Sequence, residues 1–322
     1  MSVRVGFIGV GGISKVHLEY LAKSQDAKIV AVSDIAEEKA RQVGATYGAS
    51  AYVNYEEMLD KEDLDAVYIS LPPFAHGKPE LKAAEHGLHL FIEKPIATNI
   101  DTAKEILKVI AEKRLISSVG YQWRYLDTVG KARELLSGRT VGMVLGYWMG
   151  GLPGVAWWRV MEQSGGQFVE QTTHIVDLAR YTAGNVKRVF ASYALRSLQD
   201  VPNLNVPDVG TVTLEFENGA IGTISNTCML SQGYNVGLNV VTRDLVLEMT
   251  GSSLKRIEPY HTEEFRTRVN PYNLEDQSFI DAVKTGDTSK IRSTYADAFE
   301  THRVTMAANE SARLGKPVDL IE

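Results

Sequence analysis

The sequence predicts an α/β protein in two parts, and three observations support this. Up to about residue 121, short apolar runs alternate with amphipathic or alanine-rich segments, which is typical of β–α–β units in a parallel sheet. Beyond residue 122, long strand-like runs follow one another, and Asn218-Gly219 between two of them is a hairpin turn signal. The chain has 322 residues and 44% hydrophobic content, which is enough for two cores. We therefore predict an N-terminal domain, 1–121, and a C-terminal α+β domain, 122–322, with an open, mostly antiparallel sheet.

The composition excludes several classes of partner. The net charge is −6 and the pI about 5.7, which argues against binding to nucleic acid or to an anionic membrane surface. A single cysteine, Cys228, rules out an intramolecular disulfide framework, and the remaining histidines (His17, His86, His89, His261 and His302) lack metal-ligand spacing. No metal site is expected. Because Met1 leads almost directly into a strand and no apolar run could span a bilayer, we expect a soluble cytoplasmic protein.

The N-terminal residues form the first strand–turn–helix unit. Val3–Ile8 is a buried-strand pattern, and a helix is expected over 14–23. Gly9 permits a tight turn and Gly11 a close ligand approach, while the helix N-terminus suits a pyrophosphate. Ser14 takes the third small position of the dinucleotide fingerprint. The residues predicted to contact the cofactor here are Gly9, Gly11, Gly12 and Ile13.

The second predicted strand, 27–33, ends in Asp34, twenty residues after Ser14. A carboxylate there can accept hydrogen bonds from both ribose hydroxyls and would repel a 2′-phosphate, and Ile35 offers no cation. The pattern therefore predicts NAD rather than NADP as the cofactor. The alternative is that Asp34 caps the helix that follows.

The rest of the N-terminal part continues the alternation. We predict strands at 51–54, 66–71, 89–92 and 116–121, and helices at 36–47, 55–59, 76–85 and 99–113. Carboxyl ends of parallel strands meet at one sheet edge, where ligands bind. The further residues expected to border the cofactor at that edge are Leu71, Pro72, His76, Glu93, Lys94 and Gln122. For His76, a plain role at a helix start is an equal alternative.

The C-terminal part combines long strands with a few helices. We predict strands at 141–149, 186–195, 209–217, 220–229, 233–242 and 244–250, and helices at 127–137, 166–181, 273–284 and 294–314. Asp244 is a second candidate hairpin turn.

The chain resembles the Gfo/Idh/MocA oxidoreductase family along nearly its whole length. The matching pieces are the Gly9 turn, Asp34, Glu93-Lys94-Pro95, Gly165-Gly166 and the helix with His174 and Asp177. The resemblance implies a Rossmann domain with bound nicotinamide cofactor, and substrates that are usually sugars, polyols or their derivatives. It also implies a homo-oligomer, dimer or tetramer, formed through the C-terminal sheet.

Lys94, His174 and Glu170 are the catalytic candidates. Lys94 ends a strand where it can reach nicotinamide and a substrate hydroxyl, and the resemblance assigns it to catalysis; an exposed loop lysine is the alternative. Pro95 could hold a cis peptide bond that aims it. Glu170 and His174 are four apart on one predicted helix and so share a face, although the family commonly has aspartate at the acid position. His174 would accept or orient the hydroxyl proton with Lys94 as its partner; a satisfied structural histidine is the alternative.

Substrate contacts are expected from Lys94, Arg124, Trp158, Arg159 and His174. Tryptophan can stack on a sugar face, and arginine can bind hydroxyls or carboxylates. For Trp157, Trp158 and Arg159, ordinary packing of a loop is the alternative.

Three functions fit these residues. The first is an NAD-dependent dehydrogenase that acts on a secondary hydroxyl of a sugar, polyol or sugar derivative. The second retains NAD for transient oxidation, leading to glycoside cleavage, elimination or epimerisation. The third, a non-catalytic nicotinamide-binding regulator, would need neither Lys94 nor His174.

Overall fold

The computed structural model describes residues 2–320, which divide into two compact units. Unit 1 runs to Ala97 and adds Asp101–Gln122 and Asn270–Phe299, and unit 2 holds Thr98–Ile100, Trp123–Val269 and the chain from Glu300 onward. The expected boundary after residue 121 lies one residue from the division after Gln122. The contiguous second domain does not match this division, because residues 270–299 pack with unit 1.

The elements are numbered in chain order. The strands are β1 (Val3–Ile8), β2 (Ala27–Ser33), β3 (Ser50–Tyr52), β4 (Ala66–Ile69), β5 (His89–Ile92), β6 (Ser117–Val119), β7 (Val141–Met149), β8 (Val186–Ala194), β9 (Val209–Phe216), β10 (Ile221–Thr227), β11 (Asn235–Thr242), β12 (Leu245–Thr250), β13 (Ser253–Glu258), β14 (His261–Arg266) and β15 (Val318–Asp319). The α-helices are α1 (Ser14–Leu21), α2 (Glu37–Tyr47), α3 (Tyr55–Lys61), α4 (Lys78–Glu85), α5 (Ile100–Lys113), α6 (Asp127–Leu136), α7 (Met161–Ser164), α8 (Gln167–Glu170), α9 (Thr173–Ala183), α10 (Pro271–Thr285) and α11 (Tyr295–Leu314). Short 3₁₀ helices occupy Pro73–Ala75, Gln122–Tyr125 and Ala156–Arg159.

Unit 1 is built on a six-stranded sheet of order β3-β2-β1-β4-β5-β6, in which all pairs are parallel. The central strands are buried on both faces, as a parallel sheet requires. Phe7, Tyr68 and Phe91 stack across β1, β4 and β5, with centroid distances of 5.0 and 4.5 Å. Phe279 of α10 packs edge-on against the last two rings. The sheet thus needs α10 as cover, which explains why this late segment belongs to unit 1.

Unit 2 is built on a nine-stranded sheet of order β14-β13-β12-β11-β7-β10-β9-β8-β15. Neighbouring strands are antiparallel except β7 and β10, which run parallel, so the expected open, mostly antiparallel sheet is confirmed. One face of this sheet shares a core with α6, α9 and α11. The opposite face leaves large apolar side chains exposed, namely Met143, Leu145, Phe190 and Ile221.

The two expected hairpins are present. Gly219 (φ 90°) turns β9 into β10, and Asp244 (φ 63°) turns β11 into β12. Sequence reasoning missed β13, β14 and the two-residue β15, since β14 reads HTEEFR without alternation. Across residues 2–320, the helices are all too short or too polar to cross a membrane.

Candidate active site

The turn after β1 has the shape that a dinucleotide requires. Gly9 has φ +84°, and a Cβ there would lie 2.4 Å from the Ser70 carbonyl oxygen, so only glycine fits. Around Gly12 a Cβ would meet nothing within 4 Å, which leaves open space over the turn. The first turn of α1 has no side-chain cap and no acidic residue, and Ser14 Oγ donates to the Gly11 carbonyl at 2.9 Å. The turn and its helix therefore fit a pyrophosphate.

Asp34 lies beside this turn, where an adenosine ribose is expected. Its Oδ2 accepts the Val10 N–H at 3.1 Å, and its Oδ1 accepts the Ala36 N–H at 3.0 Å. The N-cap of α2 is Ala36, so Asp34 does not cap the helix as the alternative held. Lys39 Nζ lies 3.4 Å from Asp34 Oδ2. The sequence does not indicate this cation, because Ile35 directly follows Asp34 and Lys39 lies five residues beyond it.

The residues that follow β4 are held by a buried histidine. His76 Nδ1 lies 2.5 Å from Glu80 Oε1, and its Nε2 lies 3.2 Å from the Leu71 carbonyl oxygen. Glu80 Oε2 accepts the Gly77 N–H at 2.6 Å. Both ring nitrogens thus face protein atoms, and the His76 side chain is fully buried. His76 shapes the Leu71-Pro72 segment that borders the expected cofactor position, which is closer to the structural alternative than to a direct contact.

Lys94 follows β5 at the same edge of the sheet as Gly9, Asp34 and Gln122. It is half-buried, and the Lys94–Pro95 peptide bond is cis. Gln122 Nε2 donates to the Tyr272 hydroxyl at 3.0 Å, so this side chain is held by α10.

Glu93 differs from its expected role at the cofactor. Its side chain is only 5% exposed, with Oε1 3.1 Å from His17 Nε2. Its other oxygen accepts the backbone N–H of Lys94 at 3.2 Å. The carboxylate therefore points into unit 1, because a buried cation lies there.

That cation is His17, for which the sequence predicts no role. His17 is fully buried, and its Nδ1 lies 2.7 Å from Asp276 Oδ1 on α10. Burial alone would lower the pKa of His17, but Asp276 and Glu93 together raise it to about 10. Burial raises the pKa of the Asp276 carboxyl. The available signal was that His17 lies three residues from Ser14 and four from Leu21, on the buried face of α1.

In unit 2, the predicted helix over 166–181 is broken into α8 and α9. Glu170 ends α8, and His174 is the second residue of α9. The backbone N–H of His174 donates to the Gln171 carbonyl and not, as it would in a continuous α-helix, to the Glu170 carbonyl. The two side chains therefore do not share one helical face, and the prediction that they do is wrong. His174 is buried, and its ring stacks on Trp148 with a centroid distance of 5.9 Å and an interplanar angle of 19°.

Trp158 lies in a small apolar core and lacks an exposed ring face. It is 1% exposed and packs with Val206 and Cys228, while its indole N–H donates to Glu170 Oε2 at 2.7 Å. This placement matches the packing alternative for Trp158, because a sugar can stack only on an accessible ring. Trp157 and Arg159 beside it are half-buried.

The Arg124 guanidinium binds a protein carboxylate, so it is not available for the predicted substrate contact. Its Nε and Nη2 donate to the two Asp177 oxygens at 2.7 and 2.6 Å, and both side chains are buried. The guanidinium also lies over the Tyr181 ring, 4.6 Å from its centroid. The expected substrate contact of Arg124 is thus replaced by a bidentate ion pair, since a buried Asp177 needs a partner.

The described residues, 2–320, contain no group of three or more histidine, cysteine or acidic side chains that could hold a metal ion. Cys228 is a buried free thiol, and burial raises its pKa to about 11.

Comparisons with known proteins agree with this fold. Residues 3–121 match the model of an oxidoreductase family with an NAD-binding Rossmann fold, and residues 131–253 match the GFO/IDH/MocA C-terminal domain. Myo-inositol 2-dehydrogenase of Thermotoga maritima is 27% identical over 88% of this chain and 89% of its own, and scyllo-inositol 2-dehydrogenase (NAD(+)) of Bacillus subtilis is 27% identical over 99% and 96%. Among solved structures, a levoglucosan dehydrogenase in complex with NADH has a TM-score of 0.90 at 19% identity, and each chain is covered completely. Together with the glycine turn and Asp34, these matches show that the chain belongs to the GFO/IDH/MocA family of NAD-binding oxidoreductases.

Proposed function

We propose that the protein is an NAD-dependent dehydrogenase that oxidises a secondary hydroxyl of a sugar, polyol or sugar derivative. The observation that carries the proposal is Lys94, half-buried at the sheet edge that also holds the glycine turn and Asp34. An amine placed at that edge can act on a hydroxyl, whereas binding of a nucleotide alone would not require it. The two inositol dehydrogenases, each 27% identical over at least 88% of this chain, support the substrate class.

NAD supplies a hydride acceptor when it is bound. The uncapped start of α1 and the open turn at Gly11 and Gly12 would hold its pyrophosphate, and Asp34 would accept the ribose hydroxyls. Lys94 and His174 are the groups that would bind the reacting hydroxyl and take up its proton. Arg159 and Glu170 remain candidates for substrate contact and for orientation of His174.

We also propose that NAD is preferred over NADP, because the Asp34 carboxylate would repel a 2′-phosphate. Lys39, 3.4 Å from that carboxylate, weakens the repulsion. The preference should therefore be moderate, and a ratio of kcat/KM for the two cofactors measures it.

The chain is further proposed to form a homo-oligomer through the open face of the unit 2 sheet. Met143, Leu145, Phe190 and Ile221 are each at least 40% exposed on it, and a second copy would bury them. Light scattering gives the mass in solution.

The decisive experiment incubates the protein with NAD and a panel of inositols, sugars, polyols and glycosides while nicotinamide absorbance is followed. Lys94→Ala should lower kcat by about 100-fold or more, with NAD affinity changed by less than about threefold, because it removes proton transfer and not the glycine turn. Lys28→Ala, at an exposed position of β2 in the same unit, is the matched control and should keep full activity.

Two outcomes would contradict the proposal. Full activity in Lys94→Ala would remove the amine from the chemistry. Products formed from glycosides without any net reduction of NAD would instead indicate transient oxidation.

A further inference from the structure

The charge cluster of His17, Glu93 and Asp276 is buried, yet none of the roles assigned above uses it. We propose that these three residues form a positioning chain, which holds the backbone from which Lys94 projects. Asp276 orients His17, His17 holds Glu93, and Glu93 holds the Lys94 N–H. The proposal rests on the function proposed above, in which Lys94 is catalytic.

Each link of the positioning chain is a short contact within unit 1. His17 Nδ1 lies 2.7 Å from Asp276 Oδ1, His17 Nε2 lies 3.1 Å from Glu93 Oε1, and Glu93 Oε2 accepts the Lys94 N–H at 3.2 Å. The side chains of all three are between 0 and 5% exposed, so water does not compete for these contacts. Hydrogen bonds to charged groups in such a site are strong and directional.

Packing on two sides confines the Glu93 carboxylate. A Cβ on Gly120 would lie 2.8 Å from the carboxyl carbon and from both oxygens of Glu93, so the carboxylate lies directly against the backbone beyond β6. On the other side, the rings of Tyr68, Phe91 and Tyr272 surround His17 at 5.4, 4.9 and 6.2 Å. The carboxylate is thus confined between a glycine backbone and an imidazole that aromatic rings hold in place.

The positioning chain also connects, within unit 1, the helix that would bind the cofactor to the lysine that would act on the substrate. His17 is on the first turn of α1, immediately after the glycine turn that fits the pyrophosphate. Glu93 immediately precedes Lys94. A single buried imidazole therefore links the helix that would hold the cofactor to the residue that would act on the substrate. Small displacements of a catalytic group can cost up to about 100-fold in rate, so such a link has a measurable consequence.

The test perturbs the positioning chain at two points and compares them with a neutral change. Gly120→Ala pushes the Glu93 carboxylate away by steric contact, because the new Cβ would lie 2.8 Å from its carboxyl carbon and both oxygens. His17→Gln removes the cation. The matched control, Tyr20→Phe, removes another polar contact between α1 and α10, that of Tyr20 with Gln277, which lies outside the positioning chain.

We expect both test variants to lower kcat by about tenfold or more while KM for NAD changes by less than about threefold, and Tyr20→Phe to leave both unchanged. The double variant should be no slower than the slower single variant, because both changes break the same chain. Multiplicative losses, or kcat and NAD affinity falling together, would show a merely structural role and overturn the proposal.

A second readout works without a substrate. In the NAD-bound protein, an amine-acylating reagent should modify Lys94 at a rate changed several-fold by Gly120→Ala, whereas exposed Lys23 and Lys28 of the same unit keep their rates. An unchanged Lys94 rate would overturn the proposal. If the wild type oxidises none of the panel compounds, the dehydrogenase proposal fails, but this labelling still decides whether Lys94 is held as described.

Discussion

Each unit contains a buried ionic group, and the two groups differ in geometry and in use. In unit 2, Arg124 and Asp177 form a bidentate pair in which one cation meets one carboxylate, with Thr301 donating to Asp177 Oδ1 at 2.9 Å. In unit 1, the His17 imidazole lies between two carboxylates, Glu93 and Asp276. The arginine pair is matched in charge, whereas the histidine cluster has more acidic groups than basic ones.

The difference shows what each cation is suited for. A guanidinium remains charged at every accessible pH and fits one carboxylate with two parallel bonds, so it can close a core permanently. An imidazole has two nitrogens on opposite sides of its ring and can bridge two partners, but it titrates. Unit 2 therefore uses its ionic group for packing, while the group in unit 1 connects three elements and ends at the backbone of a candidate catalytic residue.

The largest expected effect comes from breaking the pair in unit 2. Arg124→Met would leave Asp177 buried and unpaired, and we expect it to lower the free energy of unfolding of unit 2 by about 3–5 kcal/mol. All four tryptophans lie in unit 2, so fluorescence during urea unfolding follows this unit.

Arg133→Met is the matched control for that change. Arg133 lies over the same Tyr181 ring at 4.2 Å but is exposed, so its loss should cost less than about 1 kcal/mol. Similar costs for the two variants would mean that the bidentate pair does not stabilise unit 2.

The second prediction concerns pH and unit 1. The pKa of His17 is raised from 6.5 to about 10, so its stabilising contribution is complete below pH 6.5 and is lost as the pH rises towards 10. The neighbouring hydroxyls do not titrate in this window, since burial raises the pKa of Tyr68 well above 10 and that of Tyr272 to about 12. Between pH 6.5 and 10, unit 1 of the wild type should lose on the order of 3 kcal/mol more stability than that of His17→Gln.

Amide hydrogen exchange of peptides from α1 and β1 measures this loss, because unit 1 contains no tryptophan. Subtracting the His17→Gln profile removes the contribution of groups that titrate elsewhere. Parallel profiles for the two proteins would show that His17 is not a buried cation.

The fold was largely readable from the sequence because its signals are local. The alternation of apolar runs and helical faces marked β1, β2, β5 and β7 at their observed ends. The packing of α10 onto the unit 1 sheet could not be predicted in this way, because it depends on contacts between residues more than 200 positions apart, such as His17 and Asp276. The break between α8 and α9 also escaped prediction, since apolar periodicity continues across it.

The candidate site was readable only where a backbone motif defines it. Gly9 and Asp34 follow from strand ends and turn geometry, and Lys94 from the triplet around it. The sequence predicts poorly the role of a side chain that depends on a distant partner. It can assign a role to a residue that is engaged elsewhere, or assign none to a residue that holds two partners. The sequence predicts a substrate contact for Arg124, although Asp177 pairs with it, and it indicates no role for His17, although two carboxylates contact its ring.

The smallest expected effect separates stability from positioning in unit 1. Asn270 caps α10, the helix that carries Asp276, by accepting the Tyr272 N–H at 3.1 Å. Asn54 caps α3 by accepting the Glu56 N–H at 2.8 Å, and α3 has no part in the positioning chain. Replacing either asparagine by alanine should cost about 1 kcal/mol of unit 1 stability, as measured by hydrogen exchange.

Neither cap variant should change kcat by more than about twofold, because a cap affects how often the helix frays and not where its middle turns lie. Asp276 is five residues beyond the first residue of α10, inside its second turn. If Asn270→Ala lowered kcat about tenfold while Asn54→Ala did not, the orientation of His17 would depend on the start of α10 as well as on direct contact with Asp276.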